Sequence, residues 1–116
     1  MIRRGDIVSV DLEPVRGAES DKRRPAVVVS NDAANATAAR LGRGFVTVVP
    51  VTSNVERIYP FQVLLPAART GLQRDSKAQA EQVRSVSVER IGAHLGVVPH
   101  DILLDLDGSL RVHLGL

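Results

Sequence analysis

Arg24 stands where a side chain could bind a phosphate group from a fixed position. It directly precedes Pro25 and the β-branched residues at 27–29. Proline fixes its own backbone and biases the preceding residue toward an extended conformation, so Arg24 is expected at the start of a rigid strand. A guanidinium group held there can form paired hydrogen bonds to phosphate oxygens, which a lysine cannot.

A second polar cluster, Thr52-Ser53-Asn54, directly follows the apolar stretch that ends at Val51. Hydroxyl and amide groups at the end of a strand can bind phosphate oxygens or the edges of bases. Both the basic cluster Lys22-Arg23-Arg24 and the Thr-Ser-Asn cluster also have an ordinary structural interpretation. Basic residues often flank buried strands, and Thr-Ser-Asn is common in turns. Taken singly, neither cluster establishes a site.

Most other chemistries are excluded or poorly supported. The chain has no cysteine, which excludes disulfides, thiol catalysis and thiolate metal sites. It has neither a phosphate-binding loop nor a dinucleotide-binding glycine motif. The histidines lack metal-ligand spacing to carboxylates and are interpreted as surface or capping residues: His94, near a predicted turn, and His100 and His113. We interpret Asp101, Asp105 and Asp107 as a solvated helix face, so no metal site is predicted.

The composition is that of one globular domain over residues 1–116. Hydrophobic residues make up 44% of the chain and charged residues 24%, which excludes extended disorder. No apolar run approaches the roughly 18 residues of a membrane span and no leader peptide is recognisable, so a cytoplasmic protein without membrane contact is expected. Residues 99–116 contain three aspartates and one arginine, so the first 98 residues are more basic, at a net charge of +4, than the whole chain at +2. This weakly favours a polyanionic partner.

Hydrophobic patterning predicts a mainly β fold with short helices. Strands are predicted at residues 6–12, 25–30, 45–51, 61–65 and 93–97, and residues 76–87 form one bent strand or two short ones. A helix is predicted from Asn31 or Asp32 to Arg40, ended by Gly42, and a terminal helix follows Pro99. Residues 14–24 and 66–71 are predicted to be loops. Helices are too few for parallel βαβ winding, so a compact, partly open β-barrel is expected.

The order of several short motifs resembles that of the MazF/PemK toxin family. They are Arg4-Gly5-Asp6, Gly17-Ala18-Glu19, Arg24-Pro25, Val49-Pro50-Val51-Thr52-Ser53-Asn54, Tyr59-Pro60-Phe61 and Ala80-Glu81-Gln82-Val83-Arg84-Ser85. None is specific alone, but their order and spacing match over the whole chain. The resemblance implies a small SH3-like barrel with a C-terminal helix, similar to the CcdB toxins.

The same resemblance implies the toxin of a bacterial toxin–antitoxin pair. Such a protein is a metal-independent, sequence-specific endoribonuclease that cleaves single-stranded mRNA, stops translation and growth, and needs no cofactor. The family acts as homodimers, and the basic body of this chain suggests that an antitoxin lays an acidic segment along the RNA-binding surface.

Residue by residue, the resemblance implies that Arg24 and Thr52 are the catalytic pair. It further implies RNA-binding roles for five residues: Glu19, Ser53, Asn54, Ser76 and Gln82. Many family members have serine where this chain has Ala18, and we expect that difference to affect base preference rather than activity. Aromatic residues make up only 3% of the chain, so stacking is expected to contribute little to base reading.

The implied reaction uses the ribose 2′-hydroxyl as nucleophile and leaves a 2′,3′-cyclic phosphate and a 5′-hydroxyl. Arg24 suits the stabilisation of negative charge on the phosphorane, and Thr52 can hydrogen-bond a non-bridging oxygen. Neither is an obvious base, because the pKa of free arginine is above about 12. The proton acceptor is either Arg24 itself or a water molecule, and the sequence leaves this open.

Two other functions compete with this interpretation. One is a non-enzymatic, CcdB-like toxin that binds gyrase; such relatives depend on a tryptophan near the C-terminus, and this chain contains none. The other is an inactive small β-barrel that serves only as an interaction module. Cleavage of a long RNA in the presence of EDTA would separate all three.

Overall fold

The computed structural model describes residues 1–12 and 23–116, so the predicted RNA-binding residue Glu19 lies outside the described residues. In the described part of the chain there are seven strands: β1 (Asp6–Asp11), β2 (Arg23–Val28), β3 (Phe45–Thr52), β4 (Gln62–Leu65), β5 (Ser76–Gln79), β6 (Arg84–Ser87) and β7 (Ile91–Val97). The helices are α1 (Asp32–Leu41), α2 (Ala67–Thr70) and α3 (His100–Leu114), and short 3-10 turns span Ala80–Gln82 and Val88–Arg90. The predicted mainly β architecture with a C-terminal helix is confirmed.

The strands form one antiparallel sheet in the order β4-β5-β3-β2-β1-β7, and β6 adds to β3 beside this path. The long strand β3 serves two partners, because Val46 pairs with Val86 of β6 and Val51 pairs with Ala78 of β5. The path of paired strands starts at β4 and ends at β7 without returning on itself. The predicted partly open barrel is therefore confirmed.

Each face of the sheet carries its own apolar core, as strand alternation requires. One core contains Val27 and Val49 and is covered by Ile102 and Leu106 of α3. The other includes Val28 and Val48, from the same two strands, and Ala38 of α1. The leucines of α3 at 103, 106 and 110 belong to the first core, so this stripe is satisfied within the chain and needs no second copy.

The predicted caps of α1 are confirmed. The Asn31 side chain accepts a hydrogen bond of 2.8 Å from the Ala34 amide, and Gly42 ends the helix with a φ of 66°. The loop predicted at 66–71 is wrong, because residues 67–70 form α2 between Pro66 and Gly71. Four residues are too few to show helical periodicity in a sequence.

Pairing between strands extends two elements beyond their predicted bounds. The strand expected from Pro25 begins at Arg23, because Arg23 and Arg24 pair with Asp11 and Val10 of β1. Strand β7 likewise starts at Ile91, which pairs with Val10. The stretch at 76–87 forms two short strands separated by a 3-10 turn, so the prediction of two short strands is confirmed and that of one bent strand is wrong.

The predicted solvated helix face agrees with the exposure of Asp101 and Asp105, and two of the three C-terminal aspartates also form ion pairs that the sequence did not predict. Asp107 accepts from the Arg4 guanidinium, and Asp101 forms a two-pronged pair with Arg69 at 2.8 and 2.9 Å. Asp105 is exposed. No helix among the described residues is long and apolar enough to cross a membrane.

Candidate functional site

A groove of about 1150 Å³ opens between the start of β2, the end of β3 and the segment that leads into β5. The 3-10 turn before β6, the start of β6 and the middle of β7 complete its walls. Five of the predicted site residues line it: Arg24, Thr52, Ser53, Ser76 and Gln82. The structure thus brings together residues that are far apart in the sequence.

Arg24 reaches the groove from the second residue of β2. Its side chain is exposed, while its backbone is fixed by pairing with Val10. In the adjacent β2–β3 ladder Ala26 pairs with Pro50, and continuing that antiparallel register for two residues brings Arg24 opposite Thr52. The two predicted catalytic residues therefore lie on neighbouring strands at one end of the ladder.

Thr52 ends β3 and pairs with Lys77 of β5. Its Oγ1 accepts a hydrogen bond of 3.2 Å from the Asn54 amide. A hydroxyl has one donor and two acceptor positions, so its hydrogen stays available for an oxygen in the groove. The arrangement suits donation to a phosphate oxygen.

Asn54 is not in the groove. Its Oδ1 accepts from the Glu56 amide at 3.2 Å, and the residue lines a separate cavity of about 480 Å³ with Arg57, Tyr59 and Lys77. The Tyr59 ring stacks on Phe61 with centroids 5.2 Å apart. The few aromatic residues of the chain are thus partly clustered, which composition alone did not reveal.

Ser76 and Gln82 contribute to the groove in different ways. Ser76 is buried, and its hydroxyl donates to the Arg74 carbonyl at 3.0 Å, so it fixes the backbone of a basic groove residue. Gln82 is exposed at the end of the 3-10 turn. Beside it Glu81 accepts from the buried Gln62 side chain at 2.7 Å, which ties this turn to β4.

Sequence reasoning assigned no role to three further basic residues that line the groove: Arg23, Arg74 and Arg84. Arg84 pairs with Val48 at the start of β6, and Arg74 precedes β5. Their closeness in the chain to Gln82 and Ser76 was the available signal. Among the described residues, Arg24, Arg74 and Arg84 form no ion pair, so the groove carries clustered positive charge.

His94 also lines the groove, and it belongs to the strand predicted at residues 93–97. It lies within β7, where it pairs with Val8 of β1, and its Nε2 is 3.4 Å from Oδ1 of Asp6. This placement depends on the register between the first and last strands, for which the sequence offers no local signal. In the described ranges no three His, Asp or Glu side chains gather closely enough to hold a metal ion.

Comparison with known proteins gives consistent matches. The family described as PemK-like, MazF-like toxin of type II toxin–antitoxin system matches residues 3–114. Endoribonuclease MazF9 of Mycobacterium tuberculosis is 61% identical over 116 residues, which cover 100% of this chain and 98% of that protein. A MazE–MazF crystal structure from Deinococcus radiodurans has a TM-score of 0.78 at 32% identity and covers 99% of this chain and 96% of its counterpart. A mycobacterial endoribonuclease solved with its cognate antitoxin has a TM-score of 0.77 at 23% identity, covers 100% of this chain and 97% of its own, and shows the fold alone.

Proposed function

Because the chain belongs to the PemK-like, MazF-like toxins of type II toxin–antitoxin systems, we propose that its groove binds single-stranded RNA and cleaves it with Arg24 and Thr52. The predicted family and the predicted endoribonuclease class are confirmed. The observation that carries the site assignment is the meeting of Arg24 and Thr52 in one groove with two arginines that lack carboxylate partners among the described residues. Single-stranded RNA fits such a groove, because its bases can be splayed out and read.

In this proposal Arg24 stabilises the charge that develops on the phosphorane. Its planar guanidinium can hold two oxygens at once, and its fixed strand position means that little reorganisation is needed during the reaction. Thr52 donates its hydroxyl hydrogen to a non-bridging oxygen. Arg74 and Arg84 hold flanking phosphates and keep the scissile one in register.

The reaction proposed is attack of the ribose 2′-hydroxyl on the adjacent phosphorus without a metal ion. The O2′–P bond forms, the P–O5′ bond breaks, and the products are a 2′,3′-cyclic phosphate and a 5′-hydroxyl. Ser53 and Gln82 supply polar groups for base edges, and Asn54 contacts RNA only if the strand continues past Thr52 to the neighbouring cavity.

The proposed partners follow from the charge of the groove and from the relatives. The protein named MazF in the Deinococcus structure is held with MazE, and an antitoxin segment rich in carboxylates would compete with RNA for the groove arginines. A homodimer is also proposed, and it needs apolar surface other than the α3 stripe; Val112 and Leu114 of α3 are more than half exposed. A cytoplasmic location is proposed as well, because mRNA is the proposed substrate.

The test is cleavage of a long RNA by the purified protein in EDTA, with mapping of both ends at each cut. Cleavage that persists in EDTA, with 5′-hydroxyl ends, is the expected result. Thr52→Val removes the donor while keeping the shape, and should lower the rate on the order of 10²-fold. Two outcomes would contradict the proposal: cleavage that requires a divalent ion, and RNA that is left uncleaved by the protein.

A further inference from the structure

His94 and Asp6 form a pair in the groove that the proposed reaction does not use. The His94 side chain is 55% exposed, whereas that of Asp6 is only 11% exposed. The second carboxylate oxygen of Asp6 accepts a hydrogen bond of 2.9 Å from the Arg3 amide, which fixes its orientation. A rigid carboxylate therefore faces Nε2 of an imidazole that is open to the groove.

The sheet places this pair within reach of the catalytic residues. Val8 of β1 pairs with His94 on one side and with Ala26 on the other. Because neighbouring strands lie about 4.8 Å apart, the backbones of His94 and Ala26 are separated by about 10 Å, and Arg24 lies two residues before Ala26 in β2. Both side chains line the same groove, so one RNA strand can contact both.

In the described part of the groove, no side chain other than His94 can take the 2′-hydroxyl proton at neutral pH. The other polar side chains of the groove in the described part of the chain are arginine, threonine, serine and glutamine. Arginine stays protonated at neutral pH, and the hydroxyls and amides are not bases there. Imidazole is the side-chain type that accepts and releases protons between about pH 5 and 8, and His94 is the one described groove residue that has it.

We propose, resting on the proposed function, that His94 is the general base of the cleavage reaction. Its Nδ1, which no described residue bonds, accepts the proton of the 2′-hydroxyl while the O2′–P bond forms. The P–O5′ bond then breaks, the 5′-oxygen takes a proton from water, and the imidazolium returns its proton to water. Asp6 is a positioning residue that holds Nε2 and stabilises the imidazolium.

The cleavage rate should depend on pH, and several charged groups face His94. Asp6 faces it from β1, and the arginines of β2, β6 and the segment before β5 share the groove. A general base must be neutral, so the single-turnover rate should fall as pH is lowered through the range in which imidazole gains a proton. This decrease at low pH is the acid limb of the pH–rate profile. Asp6→Asn should lower the single-turnover rate without weakening RNA binding, because Nε2 loses the carboxylate that orients the ring.

The decisive comparison is His94→Gln against His113→Gln. His113 is also an exposed histidine, but it lies on α3 outside the groove. With an RNA of mapped cleavage site, His94→Gln should lower the single-turnover rate on the order of 10²-fold or more and abolish the acid limb. His113→Gln should change neither. Affinity for the same RNA with a 2′-O-methyl group at the cut should be unchanged in both variants, and added imidazole should partly restore His94→Ala but not Arg24→Ala.

Retention of the rate within threefold by His94→Gln, with an unaltered pH profile, would overturn the role of His94. A loss explained wholly by weaker binding to the methylated RNA would do the same. If Arg24→Ala is inactive in that experiment, the proposed function survives the failure of this inference. The acid limb of the unaltered protein is measured without any substitution, so a folding defect in one variant cannot hide the answer.

Discussion

The arginines near α3 and those of the groove differ in whether a carboxylate neutralises their charge. Arg4 and Arg69 each meet an aspartate of α3. Arg24, Arg74 and Arg84 share one concave surface, and within the described ranges none meets a carboxylate. Clustered like charges repel one another, so the second arrangement opposes folding unless an anion is bound.

The difference separates arginines that hold the fold from arginines that hold a ligand. The guanidinium of Arg4 also donates to the carbonyl of Val29, the residue after β2, at 2.9 Å, so Arg4 links the N-terminus to this segment and to α3. Arg24, Arg74 and Arg84 form no ion pair with the described residues, so their guanidinium groups can bind a ligand. Substitutions in the two sets should therefore affect different measurements.

The largest expected effect is on catalysis by Arg24. Arg24→Ala should lower the initial cleavage rate on the order of 10²–10³-fold, since one preorganised charge stabiliser is lost. Arg24→Lys should lose nearly as much, because an ammonium group cannot make the paired contact. The measurement is the initial rate on one defined RNA, with circular dichroism to verify folding.

Arg69→Lys is the matched control for that substitution, because Arg69 makes its paired contact to Asp101 outside the groove. Its cleavage rate should stay within about twofold of the parent protein, as expected for an exposed ion pair. If Arg24→Lys behaved like Arg69→Lys, charge alone would suffice at the site. If Arg24→Ala also kept a cleavage rate within about twofold of the parent protein, the catalytic assignment would be wrong.

Arg74→Gln and Arg84→Gln should weaken RNA binding more than they slow the chemical step. Each phosphate contact to a single strand contributes about 0.7 to the slope of log affinity against log salt, and each variant should reduce the slope by about that amount. Fluorescence anisotropy with a 2′-O-methylated RNA at several salt concentrations gives the slope. Arg40→Gln is the control, because Arg40 is exposed on α1 outside the groove, and it should leave the slope unchanged. A slope unaltered in both groove variants would show that Arg74 and Arg84 do not contact the RNA phosphates.

Local sequence signals predicted what depends on a few neighbouring residues. Asn31 and Gly42 bound α1 as their side-chain chemistry and backbone freedom require. The pattern before Thr52 placed it at the end of β3, and Pro25 placed Arg24 at an exposed, extended position. Such features need no knowledge of which strands pair.

What the sequence could not predict depends on pairing across the sheet. Ladder contacts with β1 extended β2 to Arg23, and the β1–β7 register brought His94 to Asp6. The partners of Asp101 and Asp107 come from other parts of the chain, so the sequence of the helix alone could not predict these ion pairs. Asn54 was grouped with Thr52 by adjacency, yet the turn after β3 directs it to another cavity.

Asp107→Asn should lower the free energy of unfolding by about 1–2 kcal/mol, because it weakens a partly buried charged hydrogen bond to Arg4. The side chains of this pair are 29% and 27% exposed. Urea unfolding measures the change, and cleavage should be unaffected. Asp105→Asn provides the control on the same helix, since Asp105 is exposed and forms no ion pair with the described residues; equal effects of the two variants would deny the Arg4 contact a role in stability.

The smallest effect is expected for Asp101→Asn. The hydrogen bond from Arg69 holds the pKa of the Asp101 carboxyl below its usual range, and the same contact raises the pKa of the Arg69 guanidinium. A carboxyl whose pKa is lowered by folding stabilises the folded state above its unfolded pKa and loses that contribution as pH falls through its folded pKa. Since both side chains are largely solvated, Tm at pH 7 should decrease only slightly in Asp101→Asn, and less in high salt. Thermal unfolding of the two proteins should converge below the pKa of ordinary aspartate; a difference that persisted undiminished there would show that the ion pair is not its cause.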